Sequence, residues 1–402
     1  MSLDRLGEIA NVSITSDDPA SDKVAPFLRL ANRSDEEIDW SGLTKLDMRL
    51  QLGSADELTI TIMAKDNDGA WRPDMGIWQV GATLAVFLGY NGDYDTMQSF
   101  TIVSHTVSYP EESSETMTVR AVSDLARALH NKDARVFDEK DDGAALDAVC
   151  SDYGWINLVD PELLLSNRKR VKKKGKSDLD FLRGIALDAA LGPPTVDALG
   201  NLMMPEAVLG DKVYARGQAE TSGAERLHNF RPSREGGADA IQLKITSWDP
   251  TQEKFISVVY QIDEFSGDPT VVFEGEAAKS AIPKESTTTG LTLQVISVRG
   301  HGETQKRDVI ATGRFMDEND AEDLARRWFE LKEKLSRWAV ITVDGDPSLW
   351  PYVAVQVEGE MAEMDKGVWL PTVVEHTLDQ GGWMARLTCI RVVSETTVSA
   401  VE

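Results

Sequence analysis

Five histidines, two cysteines and many carboxylates are the side chains with which this sequence of 402 residues could do chemistry. His105, His130, His228, His301 and His376 have no ligand partner at helical or hairpin spacing, so they give no zinc site. His105 and His376 fall in the apolar phase of strand-like segments, where a core histidine donating to a backbone carbonyl is the expected role. Cys150 and Cys389 stand far apart without companions, which predicts two buried thiols and no disulfide framework. There is no Gly-x-Ser-x-Gly elbow and no Walker-type phosphate loop. Asp133, Asp138, Glu139, Asp141 and Asp142 cluster, but their spacing misses the calcium-loop pattern and its bidentate terminal Glu. A pair such as Glu111 and Glu112 reads as a solvated loop and not as an acid/base couple. The expectation is a chain with no catalytic residues, no metal and no cofactor.

The run Arg168, Lys169, Arg170, Lys172, Lys173, Lys174 and Lys176 is the one basic cluster in a chain of net charge −25. It reads either as a flexible, solvated loop or as an electrostatic contact with an acidic neighbour, such as another copy of the same chain. It lacks the interleaved aromatics of a single-strand nucleic-acid binder. The overall charge argues against broad nucleic-acid binding, since phosphates are repelled. The N-terminus shows no secretory pattern, and no apolar run is long enough to span a membrane, so no membrane insertion is expected.

The elements that would position these residues are mostly strands. Leu46, Met48, Leu50 and Leu52 alternate with polar residues, as do Leu58, Ile60 and Ile62. Ala82 to Tyr90 ends at Asn91-Gly92, a tight-hairpin dipeptide, and Phe100 to Val107 and Met117 to Val122 continue the pattern. Five short strands with turn signals predict a small antiparallel barrel or sandwich. Helical candidates follow from Ser123 to Leu129 and from Ala144 to Tyr153. A further helix starts at Ser177 with Asp180 three residues on, an approximate capping box, and carries Leu179, Leu182, Ile185, Ala186 and Ala189 at helical spacing. Strand texture returns from residue 240, Ser280 to Gly290 reads as an exposed loop, and a long helix is expected over residues 318–338, including Trp328 and Trp338.

An internal echo organises this. Thr101-Ile102-Val103-Ser104-His105-Thr106 resembles Thr372-Val373-Val374-Glu375-His376-Thr377, and Arg120 and Arg391 each stand fifteen residues after the His with no gap. Val103, His105 and Val107 share a phase, as do Val374, His376 and Leu378. Two copies of one β module in one chain suit a ring builder, since three chains then present six near-equivalent units. The fold expected is α+β and β-rich, with two β-barrel-like tube domains and inserted α+β domains. Residues 1–125 form the first tube domain, 126–225 an α+β middle domain, and 226–402 the second tube domain with an inserted loop and the long helix.

Several stretches resemble the late-control-D family of phage baseplate hub proteins, relatives of the N-terminal part of type VI secretion spike proteins. They are Gly81 to Tyr90, Ser99 to Val103 and Arg120 to Ala126; Lys176 to Ala186; Trp248-Asp249-Pro250; and, after the long helix, Val343 to Pro347, Val355 to Gly359, Gly367-Val368-Trp369 and Val373 to His376. Residues 205–225 and 262–310 match no part of the pattern. The resemblance implies a structural hub protein of a contractile tail, a homotrimer that adapts the six-fold tail tube to the three-fold central spike. Its expected partners are its own copies, the spike, a tail-tube or tube-initiator protein and baseplate wedge proteins, with DNA only in transit through the channel. Its expected place is the virion baseplate, after assembly in the host bacterial cytoplasm. The rival readings are a tail-associated cell-wall hydrolase, which would need a catalytic constellation, and a receptor-binding tail adhesin, which would need clustered exposed aromatics.

Overall fold

The computed structural model describes residues 26–31, 38–90, 93–111, 113–137, 141–164, 170–189, 191–205, 208–216, 224–234, 242–249, 254–262, 269–273, 292–300, 303–315, 337–362, 365–391 and 399–400. Six strands build the first unit: β1 (Pro26–Ala31), β2 (Leu43–Gln51), β3 (Glu57–Met63), β4 (Thr83–Tyr90), β5 (Asp93–Ser108) and β6 (Thr116–Ser123). They lie in the order β1-β4-β5-β6-β3-β2, and every neighbouring pair is antiparallel. The period of two in the sequence decides which side chains face in. Leu46, Met48 and Leu50 of β2, Leu58, Ile60 and Ile62 of β3, and Met117, Val119 and Ala121 of β6 are buried with Trp78 in one core.

The chain then leaves this sheet. A 3-10 turn, Asp124–Leu129, leads to β7 (Arg135–Phe137), α1 (Asp142–Tyr153), β8 (Ile156–Asn157), β9 (Arg170–Lys172), α2 (Asp178–Asp188), β10 (Thr195–Val196) and β11 (Asn201–Met203). Asp141 caps α1 by accepting from the Gly143 N–H, and Gly154 ends it in the left-handed conformation, φ 73°. Ser177 and Asp180 form the capping box of α2. Leu146, Val149 and Cys150 of α1 pack with Leu179, Leu182, Ile185 and Ala186 of α2 in a second core, separate from the first.

Strand structure returns with β12 (Val208–Arg216) and β13 (Glu225–Arg234). An inserted five-stranded sheet follows, made of β14 (Gln242–Asp249), β15 (Lys254–Ile262), β16 (Pro269–Phe273), β17 (Thr292–Gly300) and β18 (Glu303–Phe315), in the order β16-β15-β14-β18-β17. The chain re-enters the main sheet as β19 (Arg337–Asp344), β20 (Val353–Gly359), β21 (Gly367–Asp379) and β22 (Gly382–Arg391), with the short β23 (Ser399–Ala400) beside β12. The order β21-β20-β12-β13-β19-β22 closes because β22 also pairs with β21, so these six strands make a barrel. β12 comes from the stretch assigned to the middle region by sequence. Arg337 and Trp338 belong to β19, so the expected helix does not reach 338; its other residues, 318–336, lie outside those described, as does the 280–290 loop.

The barrel repeats the first unit strand by strand. In chain order β2, β3, β4, β5 and β6 correspond to β13, β19, β20, β21 and β22. The ladders β2–β3, β3–β6, β6–β5 and β5–β4 recur as β13–β19, β19–β22, β22–β21 and β21–β20, all antiparallel. The first strands differ in sense: β1 runs antiparallel to β4, whereas β12 runs parallel to β20. His105 and His376 stand in matching strands, each following a β-bulge, near Val103 in β5 and near Thr372 in β21. The ungapped match of Arg120 with Arg391 is corrected by the ladders. Ser104 faces Arg120 in the first hairpin, while Glu375 faces Arg386 in the second. Residues 109–115 link β5 to β6 but only 380–381 link β21 to β22, so the counterpart of Arg120 is Arg386.

The two units meet at a glycine. Tyr90, at the end of β4, donates its hydroxyl hydrogen to the Gly345 carbonyl at 2.9 Å, and its ring lies 5.2 Å from that of Trp383. A Cβ on Gly345 would come within 2.2 Å of the Trp383 indole. Gly345→Ala should therefore destabilise the fold by about 1–3 kcal/mol through overpacking, read as a lowered denaturant midpoint at unchanged m.

Candidate functional site

The described residues with the clearest structural consequence lie at joints between units. The first joint is the ladder between β2 and β21, from Lys45↔Asp379 to Gln51↔Val373. It fuses the first unit to the barrel in one 13-stranded sheet. Side chains follow the backbone across it. The Thr377 hydroxyl donates to Asp47 Oδ1 at 2.9 Å, and Glu375 lies 3.5 Å from both Arg49 and Arg386, a charged row over three adjacent strands. On the opposite face Leu46, Met48, Leu50, Val374, His376 and Leu378 are buried.

His376 is fully buried, and its Nδ1 accepts from the Trp383 indole N–H at 3.3 Å. Burial pulls its pKa down to about 4, against smaller opposing contributions from the Leu349 backbone and Asp346, so it is neutral at pH 7. His105 is half-buried. Arg120 and Arg386 are both exposed, and Arg391 donates to the Lys366 carbonyl at 2.6 Å. His228 bonds Asp344 at 2.8 Å, and Lys212 ties Glu225 of β13 to Asp346 at 2.8 and 2.7 Å. Cys150 and Cys389 are buried, and burial raises both thiol pKa values. Among the described residues no group of three or more His, Cys, Asp or Glu is placed to hold a metal ion, and no helix is long and apolar enough to cross a membrane.

The second joint holds the middle unit to the first. Asp56 is buried and accepts from the Gln51 N–H at 2.8 Å and from Gln98 Nε2 at 2.7 Å. Gln98 Nε2 also donates to the Val196 carbonyl at 3.0 Å, and Arg183 of α2 donates to the Gly53 carbonyl at 2.7 Å. Burial raises the Asp56 pKa to about 7 despite these donors. Sequence reasoning passed over Asp56 and Gln98; a polar break between two alternating strands was the one signal at Asp56.

The basic run divides. Arg168 and Lys169 lie outside the described residues, and Lys173, Lys174 and Lys176 are exposed. Arg170 and Lys172 are buried on β9, with Val171 between them turned outward. The Arg170 guanidinium grips both oxygens of Asp142 at 2.5 Å and also pairs with Asp188. Lys172 pairs with Asp178 and donates to the Asn131 carbonyl at 3.3 Å. For these two residues the acidic neighbours lie in the same chain: Asp142 on α1, and Asp178 and Asp188 on α2. The pairs thus knit β9 to both helices.

No protein-family model and no curated protein matches the sequence. Solved structures do match in fold. The 43 kDa tail protein of prophage MuSo2 from Shewanella oneidensis aligns over 92% of this chain and 99% of its own, at 16% identity and TM-score 0.62. A tail protein from Neisseria meningitidis MC58 aligns over 91% and 96%, at 13% identity and TM-score 0.58. The E. coli c3393 protein, a type VI secretion component with structural similarity to T4 bacteriophage tail proteins, aligns over 93% and 79%, at 8% identity and TM-score 0.53. The β-rich, barrel-containing fold of this chain is thus one found among phage tail proteins and a type VI secretion component.

Arg170→Ala removes the guanidinium that grips the buried Asp142 and also pairs with Asp188. It should cost about 3–5 kcal/mol, the usual penalty for breaking a buried pair by removing one partner, read by chemical denaturation. For Asp56 the folded pKa is raised above the unfolded one, so its neutral form favours folding at low pH, and this contribution is lost as pH rises from about 4 to about 7. Asp56→Asn does not titrate. Any stability deficit of this variant at pH 4 should therefore shrink by a few kcal/mol at pH 7.5, measured by denaturation at both pH values.

Proposed function

We propose that this chain is a structural hub subunit of a contractile phage-type tail baseplate. Three copies close a ring whose six near-equivalent modules face the six-fold tail tube on one side, while the ring's three-fold symmetry matches the central spike on the other. The observation that carries the reading is the repetition of one strand order, with the same ladders, twice in a single chain. One polypeptide with two like modules is the simplest way for a trimer to present six like surfaces. The fold shared with phage tail proteins supports the same reading.

The work proposed is mechanical and not enzymatic. The partners are other copies of the chain, the spike, the tail tube or its initiator, and wedge proteins, in a virion baseplate assembled in the host cytoplasm. DNA passes through without being held, and the net charge of −25 suits a channel to which a polyanion does not adhere. A first domain limit near residue 125 is offered on the same footing; the second, expected near 225, moves to before Val208, because β12 is a barrel strand. A ring of this kind buries well over about 2,000 Å² per contact. Size-exclusion chromatography with light scattering should give a particle of three times the 44.3 kDa chain mass. A clean monomer across the accessible concentration range contradicts the reading.

A further inference from the structure

We infer that the outer edge of β13 pairs antiparallel with the open edge of β5 in a second copy of this chain, repeating between chains the β2–β21 joint seen within one. This rests on the proposed trimer and names the strands that would build it.

β2 has two partners along its length, β3 on one side and β21 on the other. Its counterpart β13 pairs with β19 from Leu227 to Arg234, but with β12 only at Glu225 and Arg226. Among the described residues the rest of that second edge has no ladder. The complementary edge shows the same contrast. In β21, β20 occupies only Val368, Trp369 and Gly367, and residues Val373–Asp379 are left to receive β2. In β5, β4 pairs as far as Thr101, and Ile102 bonds to the Gly81 and Ala82 backbone. From Val103 to Ser108 that edge has no partner among the described residues.

Burial agrees with an edge filled once and left open once. Where β21 covers β2, Met48 and Leu50 are buried; at the matching stations of β13, Phe230 is half-buried and Pro232 exposed. Where β2 covers β21, His376 and Leu378 are buried; their counterparts His105 and Val107 are only half-buried, and on the outer face the bulged Val103 is 47% and Tyr109 67% exposed. Exposed, unpaired strand edges are templates for another strand. Each chain offers one edge of each kind at different places, so the contact is head-to-tail and forms a ring when the rotation closes.

The register follows from the corresponding ladders. Thr59 faces Arg120 and Asp47, as Thr342 faces Arg386 and Asn229, so Asp47 corresponds to Asn229 and Arg49 to Arg231. Within the chain Arg49 faces Glu375 and Asp47 faces Thr377. Between chains Arg231 then faces Ser104, and Asn229 faces Thr106. Arg231 and Ser104 are both exposed, and the native thiols are buried, so introduced cysteines should be tolerated and report alone.

The test is disulfide trapping in the full chain. The double variant Arg231→Cys with Ser104→Cys, under mild oxidation, should give reducible covalent dimers and trimers. Each single variant should give neither, and the out-of-register pair Arg231→Cys with Ser108→Cys should trap at least tenfold less. Light scattering on the same samples separates the outcomes. A trimer that fails to trap, or traps equally in both registers, overturns the strand pairing and leaves the hub reading standing. A persistent monomer overturns both.

Discussion

Every strand edge in this molecule poses the same demand: its N–H and C=O groups need partners, or must be left to water at the risk of unwanted pairing. The ladder between β2 and β21 meets that demand for the first unit by borrowing a strand that already belongs to the barrel. β21 can serve both because β20 occupies only its first residues, and the bulge near Thr372 separates that end from the half that receives β2. A rigid two-module body follows from this sharing, with one continuous sheet in place of two domains on a linker.

Electrostatics then fix what the sheet does not. Arg170 and Lys172 are buried on β9 because three aspartates, two of them at the start of α1 and α2, are already inside. A guanidinium with both its carboxylate partners satisfied is tolerated in such a site, whereas any one of the three alone would not be. Asp56 is a different solution. With no cation bonded to it, it meets its hydrogen-bonding needs through backbone and amide donors and holds its proton to about pH 7. These pairs account for little of the net charge of −25, which is carried elsewhere in the chain.

Much of the fold was legible because its signals are local. The alternation of Leu46, Met48 and Leu50 and of Leu58, Ile60 and Ile62 gives strands with the buried face already chosen, and Ser177 with Asp180 marks the start of α2. The echo around His105 and His376 located the matching strands through His105 and Val107, which hold the phase of His376 and Leu378; Val103 leaves that phase because it is the bulged residue, and it is exposed where Val374 is buried. It mislocated the arginine because hairpin length is free to vary: Arg391 keeps the spacing, but the shorter turn moves Arg386 into the matching station. The basic run misled in part for the opposite reason. A charged-apolar-charged triplet, Arg170-Val171-Lys172, normally turns its charges outward, and only the distant aspartates on α1 and α2 reverse it. Nothing in sequence announced the parallel course of β12, since strand sense is set by where the chain travels between strands.

In the proposed ring, modules repeated within a chain are also repeated around an axis. Electron-microscopic class averages of the purified oligomer viewed down its axis measure this directly. A trimer of this chain should show a central opening ringed by six strong densities of nearly equal radius. Three densities without their interleaved equivalents, or a particle with no rotational symmetry, would contradict it.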